Sequence, residues 1–117
     1  MNEREYIELC TETLLVIETE LDEMIDQSLP IDYESGEGML TIICTDSQTP
    51  VILSRQRPLK QIWVAARSGG FHLEYTGGRW VTTQSKETLG ELLSRTCSEQ
   101  SDQAINLLIV DGPQALG

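Results

Sequence analysis

The stretch that decides the fold is VILSRQRPLKQIWVAARSGGFHLEY, residues 51–75. Its β-branched and aromatic residues alternate with polar ones, as they do in strands with one buried face. Three consecutive strands are predicted, over residues 51–54, 61–66 and 71–75. Pro58 separates the first two strands because it lacks a backbone donor, and the glycines of residues 67–70 suit a tight hairpin turn. We therefore expect an antiparallel meander with short loops.

The segments on either side of the meander supply two helices and the remaining strands. Residues 3–27 carry no Gly or Pro and predict a long amphipathic helix. Two strands are predicted before the meander, over residues 31–34 and 39–44, and one after it, over residues 79–82. A second helix is predicted over residues 86–99, with Ser85 as its N-cap. The expected order is therefore helix, five or six strands, helix.

The first helix has two opposite faces. The apolar positions expected to face the core are Tyr6, Cys10, Leu14, Ile17, Leu21, Met24 and Ile25. At about 100° per residue, a second set falls on the other side of the helix and is called the acidic ridge: Glu8, Glu12, Glu18, Asp22, Glu23 and Asp26. One side of the helix is thus predicted to be core, and the other a row of carboxylates.

The acidic ridge is unfavourable for folding taken alone. Glu18 and Asp22, like Asp22 and Asp26, are like-charged pairs four residues apart, each costing roughly 0.2–0.5 kcal/mol. Acids near residue 26 also meet the negative end of the helix dipole. A solubilising surface is one interpretation. The position of the acids at the unfavourable end of the helix favours the other, a binding function.

Negative charge is concentrated in the first half of the chain. Residues 1–50 contain thirteen acidic residues and one basic residue, whereas residues 51–117 contain six acidic and seven basic residues. Such a surface repels nucleic acid and anionic membranes, and it attracts cations or a basic partner. The length of 117 residues predicts one domain over the whole chain, with an apolar tail in residues 103–117 partly packed between the helices.

Several function classes find no support in the sequence. No apolar run of 18 residues and no secretory signal are present, so we expect a cytoplasmic protein. Three separated cysteines, Cys10, Cys44 and Cys97, are expected to be buried and reduced. The sole histidine, His72, has no nucleophile predicted beside it, and no phosphate-binding or acyl-transfer motif occurs. We therefore predict no catalytic residues.

What remains is a row of oxygen ligands. Carboxylates suit hard cations such as Fe²⁺, Fe³⁺, Mn²⁺, Mg²⁺, Ca²⁺ or lanthanides. Side chains three or four apart on a helix lie about 5–6 Å apart at Cβ, so one ion can be shared by Glu18 and Asp22, by Asp22 and Asp26, or by Glu23 and Asp26. Exposed carboxylates of this kind predict weak sites that retain several waters. The spacing indicates divalent or trivalent cations without singling out iron.

Three motifs in register carry a resemblance to a known family. They are SRQ at residues 54–56, PLKQIWVA at residues 58–65 and GGFHLEY at residues 69–75. Together with the order of acidic helix, meander and second helix, they resemble the frataxin family in its bacterial form, from the N-terminus to about residue 100. The resemblance implies an α+β fold, a two-layer α–β sandwich in which two helices pack on one face of an antiparallel sheet.

The resemblance also implies a function in the bacterial cytoplasm. Frataxin-like proteins bind iron weakly through the first helix and the adjoining strand, and they engage the cysteine desulfurase and scaffold protein that build iron–sulfur clusters. The metal ligands implied here are Glu18, Asp22, Glu23, Asp26 and Asp32, with Glu3 and Glu34 secondary. The implied contacts with the scaffold are Arg55, Gln56, Gln61 and Trp63. A monomer without iron is expected.

Two alternatives remain open from the sequence. The acidic face can dock on a basic protein as a metal-independent interaction module. A weak ferroxidase activity is the other alternative, although buried Glu and His ligands are usual for that chemistry. For Trp63, packing under the side chain of Arg55 or Arg57 is an alternative to an interface role.

Overall fold

In the part of the chain that the structure describes, six antiparallel strands form one sheet in strict chain order, and two helices pack against it. The computed structural model describes residues 1–107. The elements are α1 (Glu3–Asp26), β1 (Ile31–Gly36), β2 (Met39–Cys44), β3 (Thr49–Gln56), a short 3₁₀ helix (Arg57–Leu59), β4 (Gln61–Ala66), β5 (Gly69–Thr76), β6 (Arg79–Thr82) and α2 (Leu89–Ser101). The expected two-layer α–β sandwich is confirmed. Within residues 1–107, no helix is long and apolar enough to cross a membrane.

Helix α1 begins at a capping box. The Asn2 side chain accepts a hydrogen bond from the Glu5 backbone N–H (2.8 Å), and the Glu5 carboxylate accepts one from the Asn2 backbone N–H (3.0 Å). These bonds satisfy two backbone donors that the first turn of a helix leaves free. The buried stripe of the helix consists of Tyr6, Cys10, Thr13, Ile17, Leu21 and Met24. Their spacing of three and four residues keeps one face of α1 against the sheet.

The buried stripe differs from the predicted one at its margins. Leu14 is only partly buried, and Ile25 is 37% exposed, so the expectation that Ile25 lies in the core is wrong. Ile25 sits about 100° further around the helix than Met24, beyond the edge of the stripe. The polar Thr13 takes a core position instead, because it has a buried hydrogen-bond partner.

The two faces of the sheet differ because side chains alternate along each strand. In β4, Ile62 and Val64 are buried beneath the helices, whereas Trp63 and its neighbours Gln61 and Ala65 lie on the face that neither α1 nor α2 covers. We call this second face the open face. Pairing in register continues it across the sheet, from Ser54 in β3 to Trp63 and then to His72 in β5.

Two predicted boundaries are wrong for local reasons. The β4–β5 turn consists of Arg67 and Ser68 alone, because Gly69 pairs with Ala66 and already belongs to β5. Helix α2 begins at Leu89, with Thr88 as its N-cap, and not at residue 86 with Ser85 as its N-cap. The hydroxyl groups of Ser85 and Thr82 are 2.6 Å apart, so Ser85 belongs to the turn that precedes the helix.

The chain after α2 returns along that helix. Ile105 and Leu107 are buried in the main core. The Ser98 hydroxyl accepts a hydrogen bond from the Ile105 N–H (2.8 Å) and donates one to the Ile105 carbonyl (2.9 Å), and Ser94 bonds the backbone of Leu107 in the same way (2.9 and 3.4 Å). Two serines one helical turn apart thus hold this segment against α2. The predicted tail also includes residues 108–117, which lie outside the described residues.

Candidate functional site

The C-terminal part of the acidic ridge lies beside the edge strand β1. The Tyr33 hydroxyl donates a hydrogen bond of 2.8 Å to Asp22 Oδ1, which ties β1 to α1 across eleven positions of sequence. This bond, with a smaller effect of desolvation and of the nearby Asp22, Glu18 and Asp32 charges, raises the pKa of Tyr33 to about 12. The phenol is protonated at neutral pH and acts as a donor to the carboxylate.

The ridge carboxylates near this contact are open to solvent. Asp22, Glu23 and Asp26 are exposed, and Glu18 is half-buried. The last turn of α1 contains no basic residue, so no charge within it offsets the negative end of the helix dipole. The end of the helix therefore presents crowded carboxylates with little protein around them.

The two strand acids lie on the open face rather than on the helix side. Ile31 and Tyr33 turn toward the helices, which places Asp32 and Glu34 on the opposite side of β1. One Asp32 carboxylate oxygen accepts a hydrogen bond from the Tyr33 backbone N–H (2.8 Å). Tyr33 thus contacts both sets of acids, one through its side chain and the other through its backbone.

Glu3 stands apart from the other predicted metal ligands. Fifteen residues of α1, or roughly 22 Å of helix, separate it from Glu18. Its carboxylate is paired with the Arg57 guanidinium, and that hydrogen bond and charge lower the pKa of Glu3. An acid already neutralised by an arginine is a poor cation ligand.

The predicted metal ligands do not form a closed cage. Among residues 1–107, no three His, Cys, Asp or Glu side chains are grouped closely enough to hold an ion together. The structure joins Asp22 to β1 through Tyr33, and it leaves Glu23 and Asp26 exposed on the following part of the helix. A cation at this surface would keep much of its water shell, as expected for weak binding of hard ions.

The predicted contact residues of the sheet divide between its two faces. Trp63 stacks on His72 with ring centroids 4.2 Å apart and an interplanar angle of 9°, and its indole N–H donates to Gln61 Oε1 (2.8 Å). Gln56 pairs with Gln61 across the strands. The alternative that Trp63 packs under Arg55 or Arg57 is therefore wrong. Arg55 pairs with the buried Ile62, and its guanidinium lies against Gly38.

His72 belongs to this surface although it is not among the contact residues predicted from the sequence. The stack depends on the pairing of β4 with β5, which places His72 directly opposite Trp63. The alternation of His72 with buried Leu73 was a signal for the open face, but the pairing register was not predicted. Half-buried Ile52 and exposed Met39 (45%) add apolar area on the same face.

Comparison with known proteins agrees with this fold. A frataxin-like domain family matches residues 1–103. The iron–sulfur cluster assembly protein CyaY of Pseudomonas fluorescens is 49% identical over 85 residues, which cover 70% of this chain and 76% of that protein. The CyaY protein of Ectopseudomonas mendocina is 40% identical over 103 residues, covering 86% and 90%. Among solved structures, frataxin from Psychromonas ingrahamii superposes with a TM-score of 0.78 at 28% identity, covering 91% and 97%.

The fold and the candidate site together make this chain a small two-layer α–β protein with an anionic helix beside the edge strand of its sheet. The chain belongs to the frataxin-like family, and the curated relatives that it matches are of the bacterial CyaY type.

Proposed function

We propose that this protein takes part in iron–sulfur cluster assembly, binding Fe²⁺ or Fe³⁺ weakly at the C-terminal part of the acidic ridge. The observation that carries the proposal is the Tyr33–Asp22 hydrogen bond, which joins exposed helix acids to the edge strand. The proposed ligands are Glu18, Asp22, Glu23, Asp26 and Asp32, with Glu34 at the margin. Other hard divalent or trivalent cations would compete, because carboxylates discriminate poorly among them.

The same anionic surface is suited to a basic protein partner. We propose that it docks on a basic groove of the cysteine desulfurase, because oppositely charged surfaces accelerate and orient association. The open face then contacts the scaffold protein through Gln56, Gln61 and Trp63, where the exposed apolar side chains lie. Arg55 lies on the other side of the sheet and is left out of this contact.

The relatives are bacterial, and we propose that the chain acts as a single domain in the bacterial cytoplasm, as a monomer without iron.

A second candidate is a metal-independent interaction module. The absence of a closed three-ligand cage within residues 1–107 favours it, since docking needs only the charge of the ridge. A ferroxidase has less support, because the sole histidine is exposed and stacked on Trp63 rather than buried among carboxylates. Binding to the desulfurase that is unchanged after complete chelation would support the module.

Iron binding can be tested by NMR titration with Fe²⁺ under anaerobic conditions. We expect resonances of residues 18–34 to shift or broaden, and Asp22→Asn to weaken binding several-fold. Glu12→Gln is the matched control, because it removes one ridge charge away from Tyr33. A second readout is the pKa of Tyr33, about 12 in the free protein, which should fall when a cation draws the Asp22 carboxylate away from the phenol.

Two outcomes would contradict the proposal. Shifts confined to residues outside 18–34 would exclude the ridge as the iron site. Equal loss of binding in Asp22→Asn and Glu12→Gln would indicate diffuse attraction by net charge instead of a located site. Desulfurase binding by both variants, measured with and without chelator, then separates docking from iron binding.

A further inference from the structure

Two of the three cysteines meet in the core between the sheet and α2. Cys44 is the last residue of β2 and Cys97 lies in the second half of α2, 53 positions later. Both side chains are fully buried, and Cys44 Sγ lies 4.0 Å from the Cys97 backbone carbonyl oxygen. The third thiol, Cys10, lies elsewhere, on α1 beside Tyr6. The fold thus brings together one particular pair of thiols.

A buried hydroxyl completes the cluster. Ser101 follows Cys97 by one helical turn, and its Oγ is buried without a hydrogen bond to any nitrogen or oxygen. It faces the Cys44 thiol. An unpaired buried hydroxyl is uncommon, because it loses hydrogen bonds to water without replacement. A thiolate at Cys44 would give this hydroxyl an acceptor.

The cluster favours the thiolate on one sulfur rather than on both. A hydrogen bond from the Cys97 thiol lowers the pKa of Cys44, with help from Ser101 and the charge of Arg67 and against the effect of burial. The same contact, together with burial, raises the pKa of Cys97. The two thiols therefore differ, with Cys44 the more readily deprotonated of the pair.

We propose that Cys44 and Cys97 are a redox pair that closes to an intramolecular disulfide and joins β2 to α2. With hydrogen peroxide as oxidant, the Cys44 thiolate attacks one peroxide oxygen, and the O–O bond breaks to give a sulfenic acid and hydroxide, which is protonated to water. The Cys97 sulfur then attacks the Cys44 sulfur and expels a second water. Two thiols are oxidised by two electrons, and one peroxide is reduced to two waters.

Access to the pair is provided at the end of α2. Ser101 is the last residue of the helix, so the cluster lies within the last turn and a half of α2, and helix ends open locally at a lower free energy than the middle of a core element. A surface depression of about 170 Å³ lies next to this turn and is lined by Arg67, Ser68, Glu99 and Gln100. A small oxidant needs only a local opening here, and the rest of the core stays closed. The proposal is independent of the proposed function.

The test is oxidation of the folded full-length chain with hydrogen peroxide, followed by unfolding and alkylation with N-ethylmaleimide. We expect the reduced protein to take up three alkyl groups and the oxidised protein one, at Cys10, with peptide mapping recovering Cys44 linked to Cys97. Cys10→Ser is the matched control and should form the same disulfide. The disulfide closes a long loop, so the melting temperature should rise on oxidation by on the order of 10 °C.

Several outcomes would overturn the proposal. Three alkylated thiols after peroxide treatment, a linkage that includes Cys10, or sulfinic acid at Cys44 without a disulfide each exclude the pair. A lower melting temperature for the cross-linked protein would show that the bridge forces the two elements apart from their native positions. Cys97→Ala, which leaves Cys44 in place, should show no rise in melting temperature after peroxide treatment, and a rise of the same size in this variant would contradict the assignment.

Discussion

At the scale of single residues, a buried hydrogen bond between Trp80 and Thr13 accounts for the position of both side chains. The Trp80 indole is fully buried and donates its N–H to Thr13 Oγ1 (3.1 Å), while the Thr13 hydroxyl donates to the Leu9 carbonyl (2.7 Å). Tyr75 packs edge-on against the indole, with ring centroids 5.3 Å apart. Burying the tryptophan of β6 therefore requires a hydrogen-bond acceptor for its N–H, and the threonine in the apolar stripe of α1 provides it. The bond also connects the middle of α1 to the far edge of the sheet.

Thr13→Val should destabilise the protein by about 1–3 kcal/mol, because it leaves the buried indole N–H without an acceptor. Urea denaturation followed by tryptophan fluorescence measures the change. Thr11→Val is the matched control, since Thr11 also bonds the carbonyl four residues earlier but is exposed. We expect its effect to stay within about 0.5 kcal/mol. Equal effects of the two variants would contradict a special role for the Trp80 contact.

At the scale of elements, α2 is held at its beginning by polar contacts. Thr88 accepts a hydrogen bond from the Glu91 N–H (3.3 Å), and the Glu91 carboxylate accepts from the Thr88 N–H (3.0 Å), which forms a second capping box. Arg95 reaches back to the preceding turn, where both of its bonds to Glu87 are about 3 Å long, and lies over the Phe71 ring. These contacts position the helix that carries Cys97 and the serines of the tail.

Thr88→Ala should cost about 0.5–2 kcal/mol of stability through loss of the N-cap. Thermal unfolding followed by circular dichroism measures it. Ser85→Ala provides the comparison, because a serine outside the helix contributes no cap. A larger fall in melting temperature in Ser85→Ala than in Thr88→Ala would instead support the boundary predicted from sequence.

At the scale of the whole molecule, the segment after α2 closes the core. Ile105 and Leu107 fill space beside α2, and their backbone groups, which no strand pairs, bond to Ser98 and Ser94. Buried backbone groups need such partners. The two serine hydroxyls therefore supply the backbone hydrogen bonds that a neighbouring strand supplies within the sheet.

Ser98→Ala should release this segment without unfolding the sheet. We expect the Ile105 amide to exchange with solvent at least tenfold faster, because Ser98 Oγ is its hydrogen-bond acceptor. Hydrogen exchange followed by NMR measures the rate. Amides of β3 serve as the internal reference, and a parallel acceleration there would mean global destabilisation rather than local release.

Features that depend on residues close together in the chain could be predicted from the sequence, whereas contacts between distant segments could not. Alternation and helical spacing are local, so the meander and the apolar members of the buried stripe of α1 were predictable, whereas the core position of Thr13 was not, since it depends on Trp80. Ser85 resembles an N-cap by type, but the Thr82 hydroxyl competes for it. The Trp63–His72 stack and the Tyr33–Asp22 bond depend on strand pairing and helix placement, which residue spacing along the chain does not specify.

The hydrogen bond within β1 from the Tyr33 N–H to Asp32 has a consequence for self-association. Strand β1 borders the sheet, and its odd-numbered residues point their N–H groups away from β2. The Ile31 N–H bonds to the Leu29 carbonyl (2.8 Å), and the Tyr33 N–H bonds to the Asp32 carboxylate. Few backbone donors of β1 are therefore left to pair with a strand of another copy. Pairing of two β1 edge strands would also bring the carboxylates of Asp32 and Glu34 close to those of the other copy, which is unfavourable. The side chains on this border thus discourage aggregation by sheet extension.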